Sequence, residues 1–311
     1  MFRLVALRML DAIPTMLLAL TLVFITLRML PGDPAIAALG EYATPQQLEL
    51  FREQMGLNLP LWQQYFVFLW DVVTLDFGES LISSFSVGQL IALHLPFTIE
   101  LTIAAMLMGT IMALPLGVIA ATQRGKSADS STRIFALLGF AVPDFYLGAL
   151  MLIVFALNLG WFPISGGGSD FWDRMHHLAL PAFTLGILKA AFLSRLTRSS
   201  LLEVLQKDYI RTARAKGGRE RRVIYRHGLR NALLPIATGL GLSTLATLSG
   251  SVAIELIFNR PGLGNLLVGA IEQRDYPVMQ AGIVVFAFFV VLVNLALDII
   301  YIFIDPRIRS E

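Results

Sequence analysis

Ten of the chain's basic residues crowd into positions 197–231: Arg198, Lys207, Arg211, Arg214, Lys216, Arg219, Arg221, Arg222, Arg226 and Arg230. Such a stretch can pair with acidic groups on a partner or with anionic lipid. Leu201, Leu202, Leu205, Tyr209, Ile210 and Ala213 recur at near-helical spacing and predict a helix over Ser199–Lys216. Gly217-Gly218 breaks it, and a second basic helix is expected over Arg219–Arg230. The result is a helix–glycine–helix elbow. A lipid anchor needs bases near the membrane, but it needs neither an ordered bend nor paired glycines. The apolar face of the first helix also calls for something to pack against, which a docked soluble protein would supply.

A second set of ionisable groups lies inside long apolar runs: Glu100, Lys189, Glu255, and Asp298 with Asn294 four residues before it. A charge at bilayer depth costs about 2.5–3.5 kcal/mol on the insertion scale. Either these residues line a water-filled path, or they pair between helices and snorkel to the interface. No enzyme chemistry is expected. There is no cysteine for thiol catalysis or thiolate metal sites. His94, His176, His177 and His227 have no metal-ligand spacing, and no paired catalytic carboxylates or Ser–His arrangement stand out. Gly125-Lys126-Ser127 looks like the end of a phosphate-binding loop, but Ala120 stands where the loop's first Gly belongs. It reads as a turn. No catalytic residue, metal site or bound cofactor is expected.

The elements that must hold these residues are membrane helices. The 311-residue chain is 56% hydrophobic and 15% charged, with mean hydropathy +0.70. Soluble domains carry about a quarter charged residues. The net charge of +2 is too small to imply a nucleic-acid partner. Six stretches are long enough to span a bilayer, which takes roughly 17–25 residues: Met9–Leu30, Phe97–Ala120, Ile134–Asn158, Leu178–Leu196, Ala232–Ile254 and Val278–Ile304. The expected fold is all-α and polytopic. Bases in the loops set the orientation. Arg3 and Arg8, the turn with Arg124, Lys126 and Arg133, the basic elbow, and Arg307 with Arg309 fall inside. Both termini are then cytoplasmic. The acidic segment 31–95, with Asp33, Glu41, Glu49, Glu53, Asp71, Asp76 and Glu79 against Arg52, falls outside. There Thr44-Pro45-Gln46-Gln47 starts a short helix over Pro45–Met55. Pro60-Leu61-Trp62 opens an interfacial helix with Trp62, Tyr65, Phe66 and Trp70 along one side. Pro115, Pro143 and Pro181 are candidate kinks.

Asp208-Tyr209-Ile210-Arg211-Thr212-Ala213-Arg214-Ala215-Lys216-Gly217 closely resembles the cytoplasmic signature loop of ABC importer permeases. It is most similar to the B-type subunit of dipeptide, oligopeptide, glutathione and nickel importers. The general signature places Glu-Ala-Ala ahead of the glycine. Here Arg211, Thr212 and Ala213 occupy those positions, the variant typical of peptide-type B subunits, as is Arg230-Asn231-Ala232-Leu233-Leu234-Pro235. Leu30-Pro31-Gly32-Asp33-Pro34, Asp76-Phe77-Gly78, Arg260-Pro261-Gly262-Leu263-Gly264, Arg274-Asp275-Tyr276-Pro277 and Asp305-Pro306-Arg307-Ile308-Arg309 extend the resemblance along nearly the whole chain. Arg3, Arg8 and Ala35-Ile36-Ala37 would also suit a secretory signal and its cleavage site, but the resemblance runs straight through that cut.

The resemblance implies a type I ABC importer permease fold in the bacterial cytoplasmic (inner) membrane. An extra extracytoplasmic helical segment would lie between the first two spans. It divides the chain into residues 1–30, an outer segment 31–95, a five-helix core 96–304 carrying the loop 197–231, and a tail 305–311. The implied coupling residues are Asp208, Arg211, Thr212, Ala213, Lys216, Gly217, Gly218, Arg219 and Arg222. Glu100, Glu255, Asn294 and Asp298 are the translocation-path candidates. Glu255 leads them because the fifth span resembles the family's pore-lining helix. ATP with magnesium would be bound and hydrolysed on two separate ATPase subunits. The remaining partners implied are a homologous C-type permease, an extracytoplasmic binding protein and the lipid bilayer, with no nucleic acid. The solute would be a short peptide or glutathione; nickel stays open, and an ion-driven secondary transporter is the competing class.

Overall fold

The computed structural model describes residues 2–29, 34–40, 42–83 and 85–304. Most of the Leu30–Pro34 turn and the whole Asp305–Arg309 motif lie outside them. Among the described residues the chain is helical, with one isolated bridge between Glu79 and Ser86. In chain order the first helices are α1 (Phe2–Met29), α2 (Pro34–Leu39), α3 (Pro45–Gln54), α4 (Leu61–Thr74) and α5 (Val87–Thr122). Then come α6 (Ser127–Ala141), α7 (Asp144–Met151), a π-helical turn at Leu152–Asn158, α8 (Phe171–Leu205), α9 (Asp208–Ala215) and α10 (Glu220–Arg222). A second π-helical turn at Val223–Leu229 leads into α11 (Arg230–Ile257), α12 (Leu263–Gln273) and α13 (Tyr276–Ile304).

Five helices are long and apolar enough to cross a membrane: α1, α5, α8, the run ending in α11, and α13. The sixth crossing is a bent pair. Pro143 has no amide hydrogen, and its ring disfavours helical backbone at Val142, which is extended with ψ 120°. Helices α6 and α7 therefore meet at 103°. The fourth span, with Lys189 in it, is a single 35-residue helix. At 1.5 Å per residue it is roughly 50 Å long. That exceeds the ~30 Å hydrocarbon layer, so its ends project beyond lipid.

The chain divides into two compact units. The first comprises Met1–Val5, Phe97–Pro261 and Val293–Glu311. Its centre is α8, buried along most of its length. Lipid tails are as apolar as leucine, so close van der Waals packing rather than water exclusion must hold helices together. Small residues supply it. A Cβ at Gly117 of α5 would sit 2.5 Å from the Cβ of Thr197 and 2.8 Å from the carbonyl of Ser194. One at Gly109 would sit 2.8 Å from the Cβ of Lys189. Leu101, Ala105, Leu180, Leu185 and Ile254 form one core cluster, and Val118, Leu201, Ala232 and Ile236 another.

The second unit comprises Ala6–Pro96 and Gly262–Leu292. Helix α3 starts on the expected capping box: the Thr44 hydroxyl accepts from the Gln47 amide, and the Gln47 carboxamide accepts from the Thr44 amide. Helix α4 carries Trp62, Phe66 and Trp70 on its exposed side. Tyr65 does not join that stripe. It packs edge-on against Phe24 and shares a 2.7 Å hydrogen bond with Thr21, because its hydroxyl finds a partner on α1. Between the fifth and sixth expected spans lies α12. Helix α12 ends at Arg274 in the left-handed region, and Asp275 then takes hydrogen bonds from the Ser80 hydroxyl (2.5 Å) and the Leu81 amide (3.2 Å).

If steric closeness on α8 holds the first unit together, Gly117→Val should destabilise it by about 2 kcal/mol, the scale of core overpacking. Gly88→Ala, whose Cβ meets nothing within 4 Å, should shift stability by less than about 0.5 kcal/mol. Thermal unfolding in detergent reads the difference; equal melting of the two variants would contradict it.

Candidate coupling elbow and charged gate

The basic elbow is built from more pieces than its sequence suggests. Helix α8 runs unbroken through Leu205, so Leu201, Leu202 and Leu205 belong to the spanning helix. The break falls at Gln206-Lys207, where Lys207 is extended (φ −71°, ψ 150°). Helix α9 then restarts with Asp208 in its first turn, where a carboxylate suits the helix dipole. The apolar face expected to need a docked protein is consumed internally. Leu201 packs with Val118, Ala121, Ala232 and Ile236, and Ile210 and Val223 are buried. What remains exposed is polar and cationic: Asp208, Arg211, Thr212, Lys216, Arg219, Arg221 and Arg222, with Ala213 half-buried. Tyr209 adds one exposed ring.

The bend itself is a helix C-cap. Gly217 has φ +76°, its amide donates to the Arg214 carbonyl (2.9 Å), and the Gly218 amide donates to the Ala213 carbonyl (3.2 Å). This paired reversal satisfies two of α9's terminal carbonyls. Gly217 is required by its backbone angle alone, since a Cβ there would meet nothing. Gly218 is required by space, because its Cβ would lie 2.8 Å from the Ala213 carbonyl oxygen. Arg214 clamps the two sides, donating to both Glu220 oxygens at 2.7 and 3.1 Å. That contact holds the Glu220 carboxyl below its ordinary pKa. Asp208 and Arg211 make a looser exposed pair at 3.4 Å.

Next to the elbow lies a buried anchor that sequence reading missed. Asp129 takes a bidentate pair from Arg198 (2.6 and 3.0 Å) and a third hydrogen bond from the Gly125 amide (3.0 Å). Thus Gly125-Lys126-Ser127 is a turn capped by Asp129, as its reading without a preceding strand anticipated. The four-residue step from Gly125 to Asp129 was a signal, but nothing in sequence pointed to Arg198 as the partner.

Of the path candidates, Glu100 and Glu255 enter a charged cluster. Glu100 pairs with Arg174 at 2.7 Å and with Arg260 at 3.0 Å. Both guanidiniums lie over the Phe97 ring, at 4.1 and 5.1 Å. Glu255 is fully buried and accepts a 2.6 Å hydrogen bond from the Thr98 hydroxyl. Arg260, also fully buried, is the member whose role the sequence did not reveal. It sits just past α11, and only folding brings it to Glu100. Asn294 and Asp298 both lie on α13. Asn294 is exposed and Asp298 half-buried. Lys189 is buried in α8, and Asp144 at the start of α7 is the charge that acts on it. His177 pairs with Asp173 at 3.1 Å. Among the described residues no group of side chains could hold a metal ion.

Comparison with known proteins places this geometry in one family. Residues 113–310 match the model of the binding-protein-dependent transport system inner membrane component, and residues 1–102 match that of its N-terminal region. The chain is 43% identical over 304 residues to the glutathione transport system permease protein GsiC of Escherichia coli strain K12, covering 98% of each chain. The namesake proteins of Shigella flexneri serotype 5b and Pectobacterium atrosepticum give the same identity and coverage. Among solved structures, an inward-facing methionine ABC transporter, MetNI, is similar with TM-score 0.55 and 19% identity, over 70% of this chain and 97% of that one. An amino acid ABC transporter solved with histidines gives TM-score 0.54 and 14% identity, over 68% and 92%. With five long apolar helices, a bent sixth crossing and both family regions in order, the chain belongs to the binding-protein-dependent transport system inner membrane components and is a multi-pass permease subunit of an ABC importer.

Proposed function

We propose that this permease forms half of the translocation path for glutathione or a closely related short peptide, and that its elbow is the handle gripped by an ATPase subunit. The observation that carries the reading is the 43% identity, spread over 98% of the chain, to permeases named for glutathione transport. Identity over that whole length includes the outer segment and path helices, not the elbow alone. The proposed assembly adds a homologous second permease, two ATPase subunits that bind and hydrolyse ATP with magnesium, and a binding protein that docks outside. Both termini and residues 197–231 face the cytoplasm in this proposal. Residues 31–95 form the outer segment, 96–304 the core, and 305–311 the tail.

The mechanism follows from stiffness and charge. The coupling residues Asp208, Arg211, Thr212, Ala213, Lys216, Gly217, Gly218, Arg219 and Arg222 form a short capped bend with cationic side chains outward, suited to an acidic groove. Closure of the ATPases would displace this bend. Helix α8, separated from it by Gln206-Lys207, would transmit the motion into the membrane. At the other end, Glu100 and Glu255 would act as an outer gate. Two arginines share Glu100, so one of them could let go in a second arrangement without leaving the carboxylate unpaired. Asn294 and Asp298 stay path candidates further along α13.

Reconstituted with its partners, the complex should accumulate labelled glutathione in an ATP-dependent way, with excess glutathione competing and nickel ions not. Competition by nickel alone would overturn the solute class. Gly217→Val forces a branched side chain into left-handed backbone, at about 1–2 kcal/mol. It should cut uptake and transport-linked ATP hydrolysis at least tenfold while the protein still inserts. Unchanged uptake by an inserted variant would remove the elbow's role. Glu100→Gln removes the carboxylate charge that pairs with Arg174 and with the buried Arg260. It should cost about 1–3 kcal/mol in thermal unfolding and lower uptake, whereas Glu49→Gln, on an exposed pair, should do neither.

A further inference from the structure

Asp129 and Arg198 belong neither to the elbow's outward face nor to the charged gate, yet their pairing is the more complete. Both carboxylate oxygens of the buried Asp129 are engaged. Oδ1 accepts from Arg198 Nε at 2.6 Å, and Oδ2 accepts from Arg198 Nη2 and from the Gly125 amide, each at 3.0 Å. Arg133 stands further off, at 3.7 Å. One turn along α8, Leu201 packs into an apolar cluster with Val118 and Ala121. A buried ion pair is often no more stabilising than apolar side chains of similar volume, because desolvation offsets the attraction. What a bidentate fork adds is direction.

The direction it sets is that of α6. Helix α6 meets α8 at two levels. Near its end, a Cβ at Gly139 would collide with the Cβ of Ala191, so the two backbones lie in close contact there. At its start, Asp129 holds Arg198. The two levels are roughly 15 Å apart along α6 at 1.5 Å per residue. A single steric contact leaves one helix free to pivot on another, and a second fixed point removes that freedom. Arg198 lies roughly 12 Å along α8 from the Gln206-Lys207 joint. Helix α6 runs unbroken to the bend at Pro143. Beyond the bend, α7 abuts α11: a Cβ at Gly148 would lie 2.7 Å from Cδ1 of Ile254, the residue before Glu255.

We infer that Asp129 and Arg198 are positioning residues of the transport cycle. Their fork fastens α6 to α8, so that displacement of α8 swings α6 and reaches Glu255 through α7. The inference rests on the proposed role of the elbow as a handle and adds the step between handle and gate. Without the fork, ATP hydrolysis continues but is separated from translocation.

The test uses the complete complex in liposomes, with labelled glutathione uptake and ATP hydrolysis measured on the same preparation. Asp129→Asn combined with Arg198→Leu removes both charges but keeps an acceptor for the Gly125 amide. Arg198→Lys keeps the charge and removes the fork. Both should unfold within about 4 °C of the parent, since little net stability is lost with the pair. Solute moved per ATP hydrolysed should fall about fivefold or more in both, within the range by which residues between coupled sites act. An unchanged ratio would make the pair structural only and overturn the inference. A second arm needs no solute. The chain has no cysteine, so spin labels can be placed by Ser131→Cys on α6 and Ser199→Cys on α8, both at exposed positions. The distance between them should be narrowly distributed in the parent, with and without ATP, and broadened in both brace variants. Equally narrow distributions in parent and variants would overturn the inference whatever solute the complex carries. Failure of the parent to take up glutathione falls on the proposed solute alone, and Gly217→Val decides the elbow separately.

Discussion

The structure turns on the closeness with which α8 is surrounded. In lipid no water is expelled when helices meet, and attraction comes only from contact at atomic range. Gly109 and Gly117 on α5, Gly139 on α6 and Gly239 on α11 each leave room that a methyl group would fill with α8 atoms. Such fit has a consequence for polar groups. Once α8 is enclosed, Lys189, Ser194 and Thr197 are buried with it. Two hydroxyls answer this locally, Ser194 donating to the Ala191 carbonyl and Thr184 to the Leu180 carbonyl, whereas the Thr197 hydroxyl is buried without a partner. Lys189, buried in the same helix, has the charge of Asp144 acting on it.

The same constraint explains where formal charges collect. Asp129 with Arg198, and Glu100 with Arg174 and Arg260, are joined between separate elements, with guanidinium forks matched to carboxylates. A bidentate pair holds direction as well as distance. Asp129 therefore fixes the Gly125 turn to α8 in a defined orientation. In the proposed assembly, a force on the elbow reaches helices already braced against one another.

How much of this was legible depended on range. Hydropathy found the spans because twenty apolar residues in a row have few other uses. Charge density found the elbow, and the capping box of α3 was readable because its two hydrogen bonds lie within four residues. The bend between α6 and α7 was half-legible: Pro143 marked its place, but the 103° turn depends on how α7 packs. Features joined by distant residues were invisible. Tyr65 could be placed on the right helix but not turned inward without knowing of Thr21 and Phe24. Arg260 stood out only as the first residue of Arg260-Pro261-Gly262-Leu263-Gly264, until folding set it against a glutamate 160 positions earlier.

The elbow shows why a motif can be readable while its mechanics are not. Sequence located Gly217 and Gly218, yet the two glycines do different work. One supplies a backbone angle and the other vacates space beside a carbonyl. Sequence also drew the apolar residues into one helix, whereas the chain breaks at Gln206-Lys207 and keeps Leu201 and Leu205 on α8. That break matters physically. A continuous helix would fix α9 as an extension of the membrane span. A joint at Gln206-Lys207, in which Lys207 is extended, together with the Gly217 cap and the Arg214–Glu220 clamp, instead makes α9 a short block bounded by backbone breaks on both sides. Ile210 and Val223, both buried, keep that block seated on the body of the protein. A partner gripping its outward arginines would then displace a body of fixed shape instead of unwinding a helix, the property a mechanical handle needs.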